Sequence, residues 1–280
     1  FWRELVVVGR GIWRSRRTHL RQFLGRDFEA IYNLIAKSLV NSPEVDVGEW
    51  QAIQGDILQA KTIELEDVSF EIEIPITSNE LQFQVKPNLP WAEEHFEERV
   101  SGIPFNPPPS HVRWPFAQQD NEQHTDGKKF SHTYPERFWP KYAGQHVQST
   151  SGIRYPYGDL GDLVSLLKDR PNTRQAFLPV WFPEDTGAVE NQRVPCTLGY
   201  HFLLRRNELK IVYYIRSCDF LRHFRDDVYL AARLCQWVAA QIGCEPGHLV
   251  MHISSMHVFS VERELIRDLL PKEQEVTYQW

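Results

Sequence analysis

Cys196, in the stretch RVPCTLGYHF, follows a proline and enters an alternating run that reads as a strand. A lone cysteine in such a place is by default a buried, inert side chain. Twenty residues downstream, the stretch RSCDFLRHFRDD opens with Arg216 and Ser217 and closes on the adjacent acids Asp226 and Asp227. The runs LGYHFLLR and LKIVYYIRS, joined by the turn RNE, read as a hairpin that brings Arg216 back beside Cys196. A guanidinium there lowers the thiol pKa and favours a thiolate nucleophile. Arginine's fork of donors and a serine hydroxyl also suit a phosphate. Asp226 and Asp227 read two ways, as charges favoured by the dipole of the following helix or as groups that bind a ligand.

The elements that must position these residues follow from periodicity. Leu20, Leu24, Phe28, Ile31, Leu34 and Ile35 give an amphipathic helix over 17–40. KTIELEDVSFEIEIP (61–75) alternates like a strand, and PWAEEHFEERVSG is a short helix with Pro90 in its first turn and Gly102 past its end. Residues 103–140, rich in Pro, Asn, His, Gln and aromatics, form an irregular insert that packs onto the body. A helix over 158–170 ends at Pro171, and FLPVWF adds a strand before the hairpin. VYLAARLCQWVAAQI (228–242) is an apolar helix, and HLVMHISSMHVF a buried strand. With no repeat and no domain break, residues 1–280 read as one α+β domain: a mixed sheet packed by helices, with a helical N-terminal extension over 1–60.

Composition narrows the function. A net charge of −6 argues against a general nucleic-acid surface, and the basic cluster WRSRRTHLRQFLGR (13–26) reads first as a solvated helix face. No run approaches a membrane span, and the opening FWRELVVVGRG has too short an apolar run for a secretory signal. The four cysteines form no CxxC pair, so neither a metal site nor a disulfide framework is expected, and a cytoplasmic location fits.

The order of PxC, then RSxD with its Arg twenty residues after the Cys, then HVF resembles the thymidylate synthase superfamily. The residue eleven positions after that Arg separates its branches: Asn in synthases, which pairs with uracil, and Asp in the deoxycytidylate hydroxymethylases, which pairs with cytosine. Here it is Asp227, and FRDD resembles the hydroxymethylase FRND. KTIELEDVSF resembles the start of that enzyme, and KDRPNTRQ resembles the family's PxSRR phosphate loop. A carboxyl group suits cytosine, accepting from its amino group and, when protonated, donating to N3.

The resemblance implies a thymidylate synthase-like fold, a homodimer through the sheet with shared active sites, a pyrimidine nucleoside monophosphate substrate, and 5,10-methylenetetrahydrofolate as cofactor. It implies that the Cys196 thiolate adds to pyrimidine C6 and that water completes a hydroxymethyl group on C5. By motif, Arg216 and Ser217 would hold the phosphate, joined by Arg174 from the neighbouring subunit. Asp219 would face the folate, Tyr142 in PKYAG would stand near the reactive Cys, and His257 would touch the sugar. The catalytic Glu of the family's ELLWF helix matches Glu93 by its spacing to Phe96, with Glu94 and Glu98 also open.

The departures are informative. Gln175 replaces the second Arg of the phosphate loop, Thr197 stands where synthases have His, and Phe259 replaces the Tyr of HxY. Loss of that tyrosine hydroxyl makes CMP a candidate beside dCMP. The C-terminal KEQEVTYQW differs from the apolar tail that closes over folate in synthases, which agrees with water as the last reactant. The expected activity is therefore a CMP or dCMP 5-hydroxymethylase. Methylation of dUMP, and a catalytically silent nucleotide-binding homologue, are the rivals.

Overall fold

Period-two alternation builds the long strands, because successive side chains point to opposite faces of the sheet. The structure is a computed structural model, and it describes residues 21–25, 27–47, 61–115, 129–143, 157–186 and 194–270. Its strands are β1 (Arg21–Phe23), β2 (Glu44–Asp46), β3 (Lys61–Glu73), β4 (Phe177–Pro179), β5 (Thr197–Arg205), β6 (Glu208–Asp219) and β7 (Glu245–Phe259). They form one sheet in the order β1-β3-β7-β6-β5-β4, with β2 also paired to β3. β1 runs parallel to β3 and β6 parallel to β7, while the other pairs are antiparallel, so the sheet is mixed.

The β5–β6 hairpin turns on Arg206 and Asn207, whose φ angles of 51° and 67° suit a two-residue turn that follows strand twist. Gly199 is required on β5: a Cβ there would stand 2.5 Å from the Phe177 ring and 2.7 Å from the Leu178 carbonyl on β4.

The helices are α1 (Phe28–Val40), α2 (Ser78–Val85), α3 (Trp91–Val100), α4 (Tyr134–Phe138), α5 (Leu160–Asp169), α6 (Phe224–Ile242) and α7 (Arg263–Leu269). α6 is the crossover between parallel β6 and β7, and its apolar stripe packs on both strands. Leu209, Ile211, Tyr213 and Ile215 of β6 and Leu249, Met251 and Ile253 of β7 are buried in the core between them. Full burial of each aliphatic side chain contributes about 1.5–3 kcal/mol. α3 and α2 pack against α6 in turn.

Several elements differ from the sequence reading. The first helix starts at Phe28, where Asp27 caps it by accepting from the Ala30 amide at 2.8 Å, and residues 21–23 are strand instead of helix. α6 begins four residues earlier than the apolar run suggests, so Asp226 and Asp227 lie inside its first turn. α2 was not expected, because only Leu81 and Val85 are buried and no stripe marks it. The insert holds a 3-10 turn over 109–113 as well as α4. The expectations for 1–20, 48–60, 116–128 and 271–280 lie outside the described residues. Among the described residues no helix is long and apolar enough to cross a membrane.

Candidate active site

The hairpin register places Cys196 at the mouth of β5, directly across from the end of β6. The Arg216 amide donates to the Cys196 carbonyl at 2.9 Å. The Arg216 side chain then clasps the same loop, Nε donating to the Pro195 carbonyl at 2.9 Å and Nη2 to that of Val194 at 3.1 Å. Two of the five guanidinium N–H groups are thus used on the loop. Cys196 itself is exposed. Trp181 lies under the guanidinium, with its ring centroid 5.6 Å away.

The next residue, Thr197, is fully buried and joins three elements. Its hydroxyl lies 2.9 Å from the Tyr134 hydroxyl of α4 and 2.8 Å from that of Tyr213 on β6. Tyr213 stacks on Tyr200 and hydrogen-bonds Asp227. Cys218 Sγ also donates to Asp227 Oδ2, at 3.5 Å. Asp227 therefore stands on a wall of tyrosines that begins one residue from the exposed thiol. Burial raises the Asp227 pKa, assisted by neighbouring Asp226. The Arg99 charge and the bonds from Cys218 and Tyr213 pull it back, leaving it at about 7. Burial pushes the Tyr134 hydroxyl well up, and the neighbouring Cys196 and Asp227 add to this. One phenol thus feels both the thiol and the acid.

Asp226, the other closing acid, faces away from this wall. Its carboxylate accepts from the Asn88 amide at 2.8 Å and from Asn88 Nδ2 at 2.7 Å, tying the loop before α3 to α6.

Residues 121–279, more than half of the chain, match the family model described as thymidylate synthase. This chain belongs to the thymidylate synthase family. It is 28% identical over 139 residues to a thymidylate synthase of Rhizorhabdus wittichii, covering 48% of this chain and 43% of that one. It is also 28% identical over 169 residues to a putative thymidylate synthase of Methanothermobacter thermautotrophicus, covering 54% and 75%. The chain thus spans less than half the length of the first relative and three quarters of the second. Its fold matches the crystal structure of the thymidylate synthase of T4 phage, with a TM-score of 0.59 over 87% of this chain and 81% of the other at 18% identity.

With the family known, the other residues expected from its motifs can be placed. Ser217 follows Arg216 on β6, half-buried, and Asp219 pairs in register with His257 on β7. Asp219 shapes the turn after β6: Oδ1 accepts from the Leu221 and Arg222 amides, both at 3.0 Å, and Oδ2 from the Arg222 guanidinium at 3.1 Å. Oδ2 keeps a lone pair for one more donor. Beside the same turn, Trp114 stacks on His223 with ring centroids 5.4 Å apart. Arg174 is exposed before β4, its carbonyl 3.0 Å from His201 Nε2. His201 pairs with Val212, four residues along β6 from Arg216.

Two residues stand elsewhere than the motif suggests. Tyr142 is 41% exposed past the end of α4, beneath the Lys141 ammonium, and it is Tyr134 whose hydroxyl reaches the residue beside Cys196. Glu93 faces α6, where Arg233 holds it through Nε at 3.1 Å and Nη2 at 2.6 Å and the Tyr229 hydroxyl donates to it. Burial raises the Glu93 pKa, but these partners outweigh it and the net shift is downward. Glu94 pairs with Arg113, and Glu98 accepts from the Ser110 hydroxyl at 2.6 Å beside His95. The face of α3 that turns inward, toward Tyr134, carries His95 and Arg99 instead. Neither was singled out from the sequence, although two polar residues four apart among Trp91, Ala92, Phe96 and Val100 mark an inward stripe with a polar purpose.

Proposed function

We propose that this chain is a cytidylate 5-hydroxymethylase, acting on CMP or dCMP with 5,10-methylenetetrahydrofolate. The observation that carries this reading is Asp227, a carboxyl whose pKa is raised to about 7 on the same wall as the exposed Cys196. A group that titrates near neutrality can hold the one proton that cytosine recognition needs, donating to N3 while its other oxygen accepts from the amino group. Uracil presents the opposite pattern at both atoms.

In this mechanism the Cys196 sulfur bonds to C6 of the base, and the C5–C6 π pair moves toward C5 and N3. Asp227 places the proton at N3 that neutralises the charge there. Arg216 and Ser217 hold the phosphate, with Arg174 supplied by a partner subunit, and His257 meets the sugar. Asp219, with the Trp114–His223 stack, offers a seat for the pterin, and the folate would supply the one-carbon unit. Phe259 is 2% exposed with the Arg222 guanidinium over its ring, so position 259 serves packing and offers the sugar no hydroxyl. That absence favours neither deoxyribose nor ribose by hydrogen bonding, and both nucleotides remain substrates to test.

A homodimer through the sheet is supported by the face opposite α6. There Phe177, His201, Tyr214 and His252 make a ladder across β4–β7, with Tyr214 stacked on His252 at 5.4 Å. Phe177 is 44% exposed on it, and Arg174 leads into the same strand.

A second reading, methylation of dUMP, is favoured by the names of the relatives above. Incubation with methylenetetrahydrofolate and each of CMP, dCMP and dUMP, with products weighed by mass spectrometry, separates the two. The proposal expects CH2O added to a cytosine nucleotide. Addition of CH2 to dUMP overturns it.

A further inference from the structure

Arg99 is a buried cation without an anion bonded to it. Its residue is 5% exposed, its Nε lacks a hydrogen-bond partner, and no ion pair among the described residues includes it. Its one close partner is the face of Tyr134, 4.0 Å from Cζ to the ring centroid. Desolvating a guanidinium costs several kcal/mol unless partners replace the water. One π face replaces part of it.

Its surroundings say what could replace the rest. From Tyr134 the contacts run to Thr197 at 2.9 Å, to Tyr213 at 2.8 Å, and on to Asp227. Arg99 closes this circuit, since its charge acts on Asp227 and on Tyr134. The circuit passes through the residue next to Cys196, so the guanidinium and the carboxyl flank one connected group of side chains.

We propose that Arg99 is a further substrate-contacting residue, whose guanidinium donates to O2 of a cytosine held by Asp227. The inference rests on the cytosine reading above. That base edge presents an amino donor, then N3, then O2. Asp227 serves the first two, and O2 remains as an acceptor for a group that can only donate. The contact also has a catalytic consequence. When sulfur bonds to C6, the displaced pair is shared from C5 through C4 to N3, and through C2 to O2. Until the proton from Asp227 reaches N3, a fixed cation beside O2 stabilises the charge that addition creates, and removing such a donor typically costs about 10²–10³-fold in rate.

The test measures release of C5 hydrogen from CMP and dCMP, and binding of each nucleotide against its 2-thio analogue, whose sulfur is a poor acceptor. The wild type, Arg99→Met and Arg99→Lys are compared. Arg99→Met should lose about a hundredfold in exchange, and Arg99→Lys should recover part of it. The wild type should disfavour the 2-thio analogue, and Arg99→Met should treat both nucleotides alike. The pH midpoint of exchange should rise in Arg99→Met. Asp227 is then left with Asp226 on its own helix, Tyr213 and Cys218 on β6, Tyr200 on β5 and Tyr134 on α4, none of them a cation. Wild-type exchange in Arg99→Met, or an unchanged penalty for the 2-thio swap, overturns the inference. A wild type that exchanges neither CMP nor dCMP overturns the cytosine reading itself, before any variant is compared.

Discussion

Arg216 Nε donates to the Pro195 carbonyl at 2.9 Å, so the cation that the proposal assigns to a phosphate also sets the backbone that presents the Cys196 thiol. The proposal thereby couples substrate capture to nucleophile placement. Lysine keeps the charge but cannot bond two carbonyls with a planar fork. Arg216→Lys should lose about 1.5–3 kcal/mol of charge-assisted bonding, raising nucleotide KM and lowering C5 exchange together. A change in KM alone would uncouple the two roles.

Thr197 is fully buried, with its hydroxyl between Tyr134 and Tyr213. Thr197→Val keeps the shape and strands two phenols. The expected cost is about 1–3 kcal/mol of stability, read as a lower denaturation midpoint, with a loss of exchange because Tyr213 no longer orients Asp227. Unchanged stability would mean that water fills the gap.

Asp227 carries a pH signature of definite sign. Its folded pKa, about 7, exceeds the ordinary value of 3.8, so the folded chain holds a proton that the unfolded chain releases. The stability that Asp227 contributes therefore falls as pH rises from about 4 to about 7, and the neutral Asp227→Asn should gain on the wild type over that window. Glu136, also pushed to about 7 by burial, titrates in a separate Asn106–Thr133 pocket and is common to both proteins. Chemical denaturation of both proteins at pH 5 and pH 8 checks the sign. Cytosine nucleotide binding should likewise weaken by about tenfold per pH unit above that pKa.

Glu93 provides a contrast, because its two oxygens are committed to Arg233 and Tyr229 across the α3–α6 contact. Glu93→Gln should cost about 1–3 kcal/mol of stability while C5 exchange stays within about tenfold of wild type. A hundredfold loss of exchange at unchanged stability would make Glu93 the proton relay.

The pairing of Cys196 with Arg216 was readable because a hairpin has a fixed return length, and only its two-residue turn had to be found. Asp227 was readable from its spacing to Arg216. Its raised pKa was not, since that comes from β5, β6, α3 and α4 converging over more than a hundred residues of sequence. Tyr134 lies in an insert without periodicity, so nothing local tied it to Thr197. On α3 the glutamates drew attention, while helical geometry turned His95 and Arg99 inward. The start of the first helix was misplaced for a local reason: Leu20 and Leu24 extend the apolar spacing, but Asp27 caps the helix after them.

The central claim is that Asp227 selects the base to which Cys196 adds. Its most direct measurement is release of C5 tritium from CMP, dCMP and dUMP, compared among the wild type, Cys196→Ala and Asp227→Asn. The wild type should exchange a cytosine nucleotide in preference to dUMP, Cys196→Ala should exchange none, and Asp227→Asn should shift the preference toward dUMP. Exchange that persists without Cys196, or a preference unmoved by Asp227→Asn, would contradict it.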